Sequence, residues 1–124
     1  MIANALSYNC EVLFMFEIVF YQKINGEEPV KDFMMSLERK EAKKISECIR
    51  LLGEEGFNLK EPYIKKIVNT DLWELRPRDK RVMFFYFKAN KIVLLSAFVK
   101  KTQKTPKKEI ERAAKYMNDY LQNK

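Results

Sequence analysis

Residues 81–99 read RVMFFYFKANKIVLLSAFV, two apolar runs joined by the short polar link Ala89-Asn90-Lys91. The runs are rich in β-branched and aromatic residues, which favour strands, and a link this short favours an antiparallel hairpin. In the strand predicted over 81–87, both alternating sets of side chains are apolar. We therefore expect strands 81–87 and 92–99 to lie in the middle of a sheet that is covered on both faces.

The segments before this hairpin predict one strand, two helices and further strand. Residues 16–21 have a strand composition, and Asn25-Gly26 marks the turn that follows. Two helical stripes come next, with Pro29 suited to the first turn and Gly53 and Gly56 offering C-terminal caps. The stripes consist of Val30, Phe33, Met34 and Leu37, and then of Ala42, Ile45, Ile49 and Leu52. Residues 64–68 and 72–76 read as strand.

The segment after the hairpin predicts a final helix. Thr105 is placed to cap it, with Pro106 at its first position. Its inward stripe comprises Ile110, Ala113, Ala114, Met117 and Leu121. The predicted order is β-α-α-β-β-β-α, an α+β fold in which a mostly antiparallel sheet is packed by an N-terminal helical pair and carries a C-terminal helix.

Composition limits the possible chemistry. The 124 residues include 24 Lys and Arg against 17 Asp and Glu, a net charge of +7 that favours a polyanionic partner. No histidine is present, which excludes Ser-His and Cys-His catalysis and HExxH zinc sites. Cys10 and Cys48 lack metal-site spacing, and apolar runs such as 12–16 are too short to cross a bilayer. We expect a cytoplasmic protein that needs no metal or other cofactor.

Basic residues cluster where the predicted strands end. Those around the turn before residue 81 are Arg76, Arg78, Lys80 and Arg81, and those after residue 99 are Lys100, Lys101, Lys104, Lys107 and Lys108. Antiparallel pairing brings both sets to one end of the sheet. Lined by Trp73, Tyr86 and Phe98, such an edge suits RNA, since cations hold phosphates and aromatic rings stack on bases. Taken alone, Trp73 and Phe98 are each better explained as core residues, and the inference rests on the convergence.

Several stretches together resemble a known family. They are residues 72–77 (LWELRP), 81–87 (RVMFFYF), 98–106 (FVKKTQKTP) and 109–113 (EIERA). Their residue identities, spacing and element order resemble those of the phage-derived branch of the RelE/HigB-type toxins over about residues 15–122. The resemblance implies a RelE-like fold. It also implies a toxin of a type II toxin–antitoxin system: a ribosome-dependent, metal-independent endoribonuclease that cleaves mRNA and binds a helix-turn-helix antitoxin in a hetero-oligomer.

The resemblance also implies roles for individual residues. Arg81 matches the family's phosphate-binding arginine, Arg76 the basic residue that closes the preceding strand, and Lys100 and Lys101 its further catalytic cations. We expect Arg78, Lys80, Lys104 and Lys107, together with Trp73, Tyr86 and Phe98, to bind RNA. Because some members use histidine for proton transfer, that role is left open here between a lysine, Tyr86, Glu74 and a ribosomal group.

Three alternatives follow from the same residues. A RelE-like domain without catalysis could act as a nucleic-acid and antitoxin-binding module in transcriptional autoregulation. A metal-dependent nuclease would need clustered carboxylates, for which Asp71 and Glu74 are the nearest candidates. The lysines of residues 38–50 could contact RNA, although their alternation with acids is typical of a solvated helix.

Met15 directly precedes the first strand pattern. We therefore expect residues 1–14 to be an N-terminal extension, with Met15 a candidate start, and residues 15–124 to form the toxin domain. The alternative is one longer first strand over residues 12–21.

Overall fold

The computed structural model describes residues 15–123, so the predictions for residues 1–14 lie outside the described part of the chain. The strands are β1 (Glu17–Phe20), β2 (Ile64–Lys66), β3 (Trp73–Leu75), β4 (Lys80–Phe87) and β5 (Lys91–Val99). The helices are α1 (Pro29–Met35), α2 (Arg39–Glu55) and α3 (Lys107–Gln122), with a 3₁₀ turn at Gly56–Asn58. The predicted α+β class and element order are confirmed, and the segment around residues 64–76 forms two short strands.

One five-stranded sheet organises the domain, in the order β1-β5-β4-β3-β2. β1 pairs with β5 in parallel, while the other neighbours are antiparallel. The hairpin of β4 and β5 therefore lies in the middle, as its doubly apolar sequence predicts. Its turn uses Ala89 and Asn90 with φ of 62° and 59°, the left-handed conformation that a tight link between twisted strands requires.

Both faces of the sheet are covered, and each has its own core. On one face, α1 and α2 pack against β-strand residues that include Val82, Phe84 and Leu94. On the other face, α3 packs through Ala113 against residues that include Met83 and Phe85. Successive residues of β4 thus point to opposite cores. This alternation fixes which side chains can meet at each end of the hairpin.

Two predicted caps differ from the structure. Gly56 ends α2 with φ of 56° and its N–H bonded to the Leu52 carbonyl, as expected. Gly53 instead lies buried inside α2, which continues through Glu54 and Glu55. At α3, the Ncap position is taken by Pro106, and the Thr105 hydroxyl is used elsewhere. In the described residues, no helix is long and apolar enough to cross a membrane.

Candidate functional site

The register of the central hairpin brings the two basic segments together. Arg81 is paired with Phe98 and Lys80 with Val99, so the chain leaves β5 beside the start of β4. The Lys100 N–H donates to the Asp79 carbonyl at 2.7 Å, which anchors the following segment to the β3–β4 turn. The predicted convergence at one end of the sheet is thus present in the backbone itself.

A buried carboxylate stands at the centre of this end. Glu74 is 1% exposed, and its Oε1 lies 3.7 Å from the Arg76 Nε and 3.8 Å from the Arg81 Nε. β3 places it there, because Glu74 is opposite Met83 and shares the α3 face of the sheet with Arg81. A carboxylate removed from water is strongly unfavourable unless cations or donors face it, and here two guanidinium groups do.

Thr105 completes the surroundings of this carboxylate. Its hydroxyl donates to the Glu74 Oε2, whereas the two arginines face Oε1. Sequence patterns assign Thr105 to a helix cap and treat Glu74 as a proton donor or metal ligand. No spacing rule connects the two residues, which are 31 positions apart. The one sequence feature that points to Glu74 is its place in β3, where an acidic side chain lies on the face turned towards the start of β4.

Arg81 has a structural task as well as a charge. It is 8% exposed, and its Nη1 donates to the carbonyls of Arg78 and Lys80, both at 2.7 Å. These bonds hold the β3–β4 turn, in which Arg78 has φ of 56°. Burial, and next the charge of Arg76, lower the pKa of Arg81, while Glu74 opposes the shift. Arg81 remains cationic, since even a lowered arginine pKa lies far above neutrality.

Beside Arg81 opens a shallow cleft of about 520 Å³. Its lining residues are Arg78, Asp79, Arg81, Lys100, Lys101, Thr102 and Gln103. Lys101 is exposed, whereas Lys100 is half-buried. Burial lowers the pKa of Lys100, and the neighbouring Arg81 lowers it further. The cleft therefore contains both cations that attract a phosphate and the Lys100 amine, which releases a proton more readily than an ordinary lysine.

Lys80 lies on the opposite face of the sheet from this cleft. It is 7% exposed, and its Nζ lies 2.8 Å from an Asp79 carboxylate oxygen and 3.2 Å from one of Glu41. A second cleft of about 340 Å³ lies on that side, between the start of α2 and the turn, with Lys40 and Lys44 in its wall. Lys80 thus faces α2 and is already paired with two acids.

The three predicted aromatic residues are not brought together. Phe98 is 6% exposed and belongs to the α3 core, next to Arg81. Trp73 and Tyr86 lie at the other end of β4, on the helical-pair face, with centroids 4.8 and 6.1 Å from the Phe57 ring. The reason is the alternation along β4 and its length: Tyr86 is five residues from Arg81, roughly 17 Å along a strand.

The last two predicted residues, Lys104 and Lys107, lie beyond the cleft. Both are exposed. The Thr102 hydroxyl donates to the Lys104 carbonyl at 2.7 Å, and the Lys107 Nζ is 3.9 Å from a Glu111 carboxylate oxygen. Within residues 15–123, no group of three or more Cys, Asp or Glu side chains could hold a metal ion. The Glu74 carboxylate faces the two arginines.

Comparison with solved structures places this architecture in a known class. A chain of the crystal structure described as an archaeal RelE–RelB complex from Pyrococcus horikoshii OT3 aligns with a TM-score of 0.52 at 21% identity. The alignment covers 68% of the present chain and 93% of that chain. The fold is therefore RelE-like. No curated protein matches the sequence significantly.

Sequence comparison gives the family. The profile described as Phage derived protein Gp49-like (DUF891) matches residues 32–118, more than half of the chain. The chain therefore belongs to the Gp49-like family, and the resemblance to the phage-derived branch of the RelE/HigB-type toxins is confirmed. The matched segment includes the central hairpin and every residue predicted for the site.

Proposed function

We propose that the protein is the toxin of a toxin–antitoxin pair and acts in the cytoplasm as a ribosome-dependent, metal-independent mRNA endoribonuclease. The observation that carries this proposal is the group of Arg76, Arg81 and Lys100 at one end of the central hairpin, around the buried Glu74. Family membership and the RelE-like fold support the choice of substrate class. Excess cations beside an open cleft are suited to a polyanion.

The proposed reaction is an attack of a ribose 2′-hydroxyl oxygen on the adjacent phosphorus. The 2′-hydroxyl gives up its proton to solvent water, and the bond from phosphorus to the 5′ oxygen breaks, leaving a 2′,3′-cyclic phosphate on one fragment and a 5′-hydroxyl on the other. Arg76 and Arg81 stabilise the charge that develops on the phosphate. Lys100 gives its proton to the leaving 5′ oxygen, since its lowered pKa makes it a better acid than ordinary lysine.

The remaining cations bind rather than react. Lys101, Arg78, Lys104 and Lys107 are exposed around and beyond the cleft, where they can hold flanking phosphates. Base stacking by Phe98 would require the ring to leave the core, because it is 6% exposed. Tyr86 and Trp73 would contact only RNA that runs to the far end of β4.

We also propose that a helix-turn-helix antitoxin holds the toxin inactive in a hetero-oligomer. The structural neighbour belongs to a RelE–RelB complex, and an antitoxin covering the basic end would block RNA. A second function, a binding module in transcriptional autoregulation, has one observation in its favour. Arg81 is largely buried and holds the β3–β4 turn, so its presence does not by itself require catalysis.

The test is to induce expression of the protein in a host without the antitoxin, to measure growth and to map the 5′ ends of transcripts. Arg76→Ala is the informative variant: this side chain is 21% exposed, and its loss leaves the Arg81 turn contacts in place. Lys115→Ala is the control, since it removes an equal charge from the exposed side of α3. We expect wild type and Lys115→Ala to arrest growth and cut translated messages, and Arg76→Ala to do neither while still binding antitoxin. A soluble wild type that causes no arrest and no cuts would favour the binding module.

A further inference from the structure

The contacts of Glu74 are more extensive than a simple ion pair requires. One carboxylate oxygen lies almost equally far from the Nε atoms of Arg76 and Arg81, at 3.7 and 3.8 Å. The other oxygen accepts the Thr105 hydroxyl. A single buried side chain thus joins strand β3, strand β4 and the segment that precedes α3.

Stability alone is a poor explanation for this arrangement. Burying ions is costly, and a well-packed apolar group at such a position is often as stable or more so. The two Nε atoms are buried and make no hydrogen bond within residues 15–123, so the cluster is not optimised for static hydrogen bonding. Catalytic hydrogen bonds are often long in a free enzyme and tighten when the substrate is bound, and contacts of this length fit that behaviour.

Thr105 connects the carboxylate to the lysines. The segment of residues 100–105 is held at its first residue by the bond from the Lys100 N–H to the Asp79 carbonyl, 2.7 Å long. At its last residue, it is held by the hydroxyl of Thr105 on Glu74. Lys100 and Lys101 lie inside the tethered segment and line the cleft. The bond to Glu74 therefore fixes the far end of the segment that carries the lysines.

We propose that Glu74 is a positioning residue that orients Arg76 and Arg81, and that the Thr105 hydroxyl holds the lysine segment of residues 100–105 against the same carboxylate. The proposal assigns Thr105 a role in the site, although it contacts no substrate. It rests on the proposed function for its kinetic measurement only. The geometric part stands independently of it, because the bridging contacts belong to the free protein.

The kinetic test uses Thr105→Val, which removes the hydroxyl and keeps every charge. On programmed ribosomes, we expect kcat to fall about 10-fold with KM unchanged, because misplaced groups lose rate rather than binding. Thr105→Ser should restore most of kcat. The matched control is Thr70→Val, whose hydroxyl donates to the Ile67 carbonyl in a loop at the other end of the sheet. A kcat for Thr105→Val no lower than that for Thr70→Val would overturn the proposal.

Glu74→Gln tests the carboxylate, with Glu109→Gln as control because Glu109 is also largely buried and lies 3.0 Å from Arg112. We expect about a 100-fold loss of kcat for Glu74→Gln alone. If that variant does not fold, Thr105→Val still decides the question.

A spectroscopic readout separates this proposal from the proposed function. In ¹⁵N-labelled protein, the Nε–Hε signals of Arg76 and Arg81, assigned from their loss in the two Arg→Lys variants, should both shift in Thr105→Val and stay in place in Thr70→Val. Unshifted signals in Thr105→Val would overturn the positioning role even if the protein cleaves RNA. Shifted signals in a protein that cleaves no RNA would support the geometry and reject the proposed function.

Discussion

The two ends of the β4–β5 hairpin are built on different principles. At the end near Tyr86, side chains from four segments form an aromatic cluster in which the Phe57 ring meets Phe16, Trp73, Phe84 and Tyr86. At the other end, Arg76, Arg81 and Lys100 surround one buried carboxylate. The first end lowers the free energy of the fold by burying apolar area, whereas the second removes charges from water.

The difference indicates where function lies. Packing accounts for the aromatic cluster apart from Tyr86, which is 45% exposed. Packing does not account for cations grouped around a buried carboxylate, since well-packed apolar groups at such positions are often as stable or more so. Binding a phosphate would explain why these cations are grouped here. The basic end is therefore the candidate nuclease site.

The largest expected effect is on the stability of the aromatic end. Phe57→Ala should lower the free energy of unfolding by about 3 to 4 kcal/mol, because the ring contacts four other rings. Urea denaturation measures the loss, and cleavage per folded molecule should be retained. A Phe57→Ala protein that is fully stable but inactive would reverse the assignment of the two ends.

Arg81→Lys probes whether the basic end also supports the fold. A lysine keeps the charge but cannot donate to two turn carbonyls while facing Glu74. We expect about 2 kcal/mol lower stability in urea, together with loss of cleavage. Arg112→Lys is the control, because its side chain is 43% exposed and pairs with Glu109 of the same helix. Equal losses in the two variants would contradict a turn-holding role for Arg81.

The pH dependence of cleavage tests Lys100. A lysine that donates a proton must be protonated, so the wild-type rate should fall as pH rises through its lowered pKa. The fall should begin below the range of an ordinary lysine. Lys100→Arg should lower the rate about 10-fold and abolish that fall, because arginine does not titrate there. Lys115→Arg should keep the wild-type profile, and an unchanged profile in Lys100→Arg would assign the proton to another group.

The smallest expected effect lies outside both ends. The Tyr21 hydroxyl donates to an Asp119 carboxylate oxygen at 2.5 Å, joining β1's end to α3, and Tyr21→Phe should lower stability by about 1 kcal/mol at neutral pH without affecting cleavage. Burial, and then this bond, raise the pKa of Tyr21. Its stabilising contribution is therefore complete below about pH 10, where unfolded tyrosine ionises, and is lost as pH rises further. The wild type and Tyr21→Phe should converge in urea denaturation at high pH; a constant difference would contradict this.

The sequence predicted the fold well because its strongest signals are periodic. The doubly apolar strands over 81–87 and 92–99 required a central position, and the helical stripes required a cover on the sheet. Antiparallel pairing then brought Arg81 near Lys100 without any knowledge of side-chain positions. Each of these inferences depends on spacing along the chain, which sequence displays directly.

The local chemistry of the site was less predictable. The bond from Thr105 to Glu74 links residues far apart in sequence, and a threonine before a proline is equally suited to a helix cap. The prediction that Phe98 lines the same edge as Trp73 and Tyr86 was wrong, because the presence of aromatic residues in the sequence does not show which face of the sheet each ring occupies. The direction in which a side chain points along a bulged strand is shown only by the three-dimensional structure.

The most direct test of the account is cleavage by purified protein on ribosomes programmed with a defined message, comparing wild type with Arg76→Ala after both are shown to be folded. We predict that wild type cuts the message in the decoding site, leaving a 2′,3′-cyclic phosphate, and that Arg76→Ala cuts at least about 100-fold more slowly. Equal rates for the two proteins, or no cut by folded wild type, would contradict the assignment of the basic end as a nuclease site.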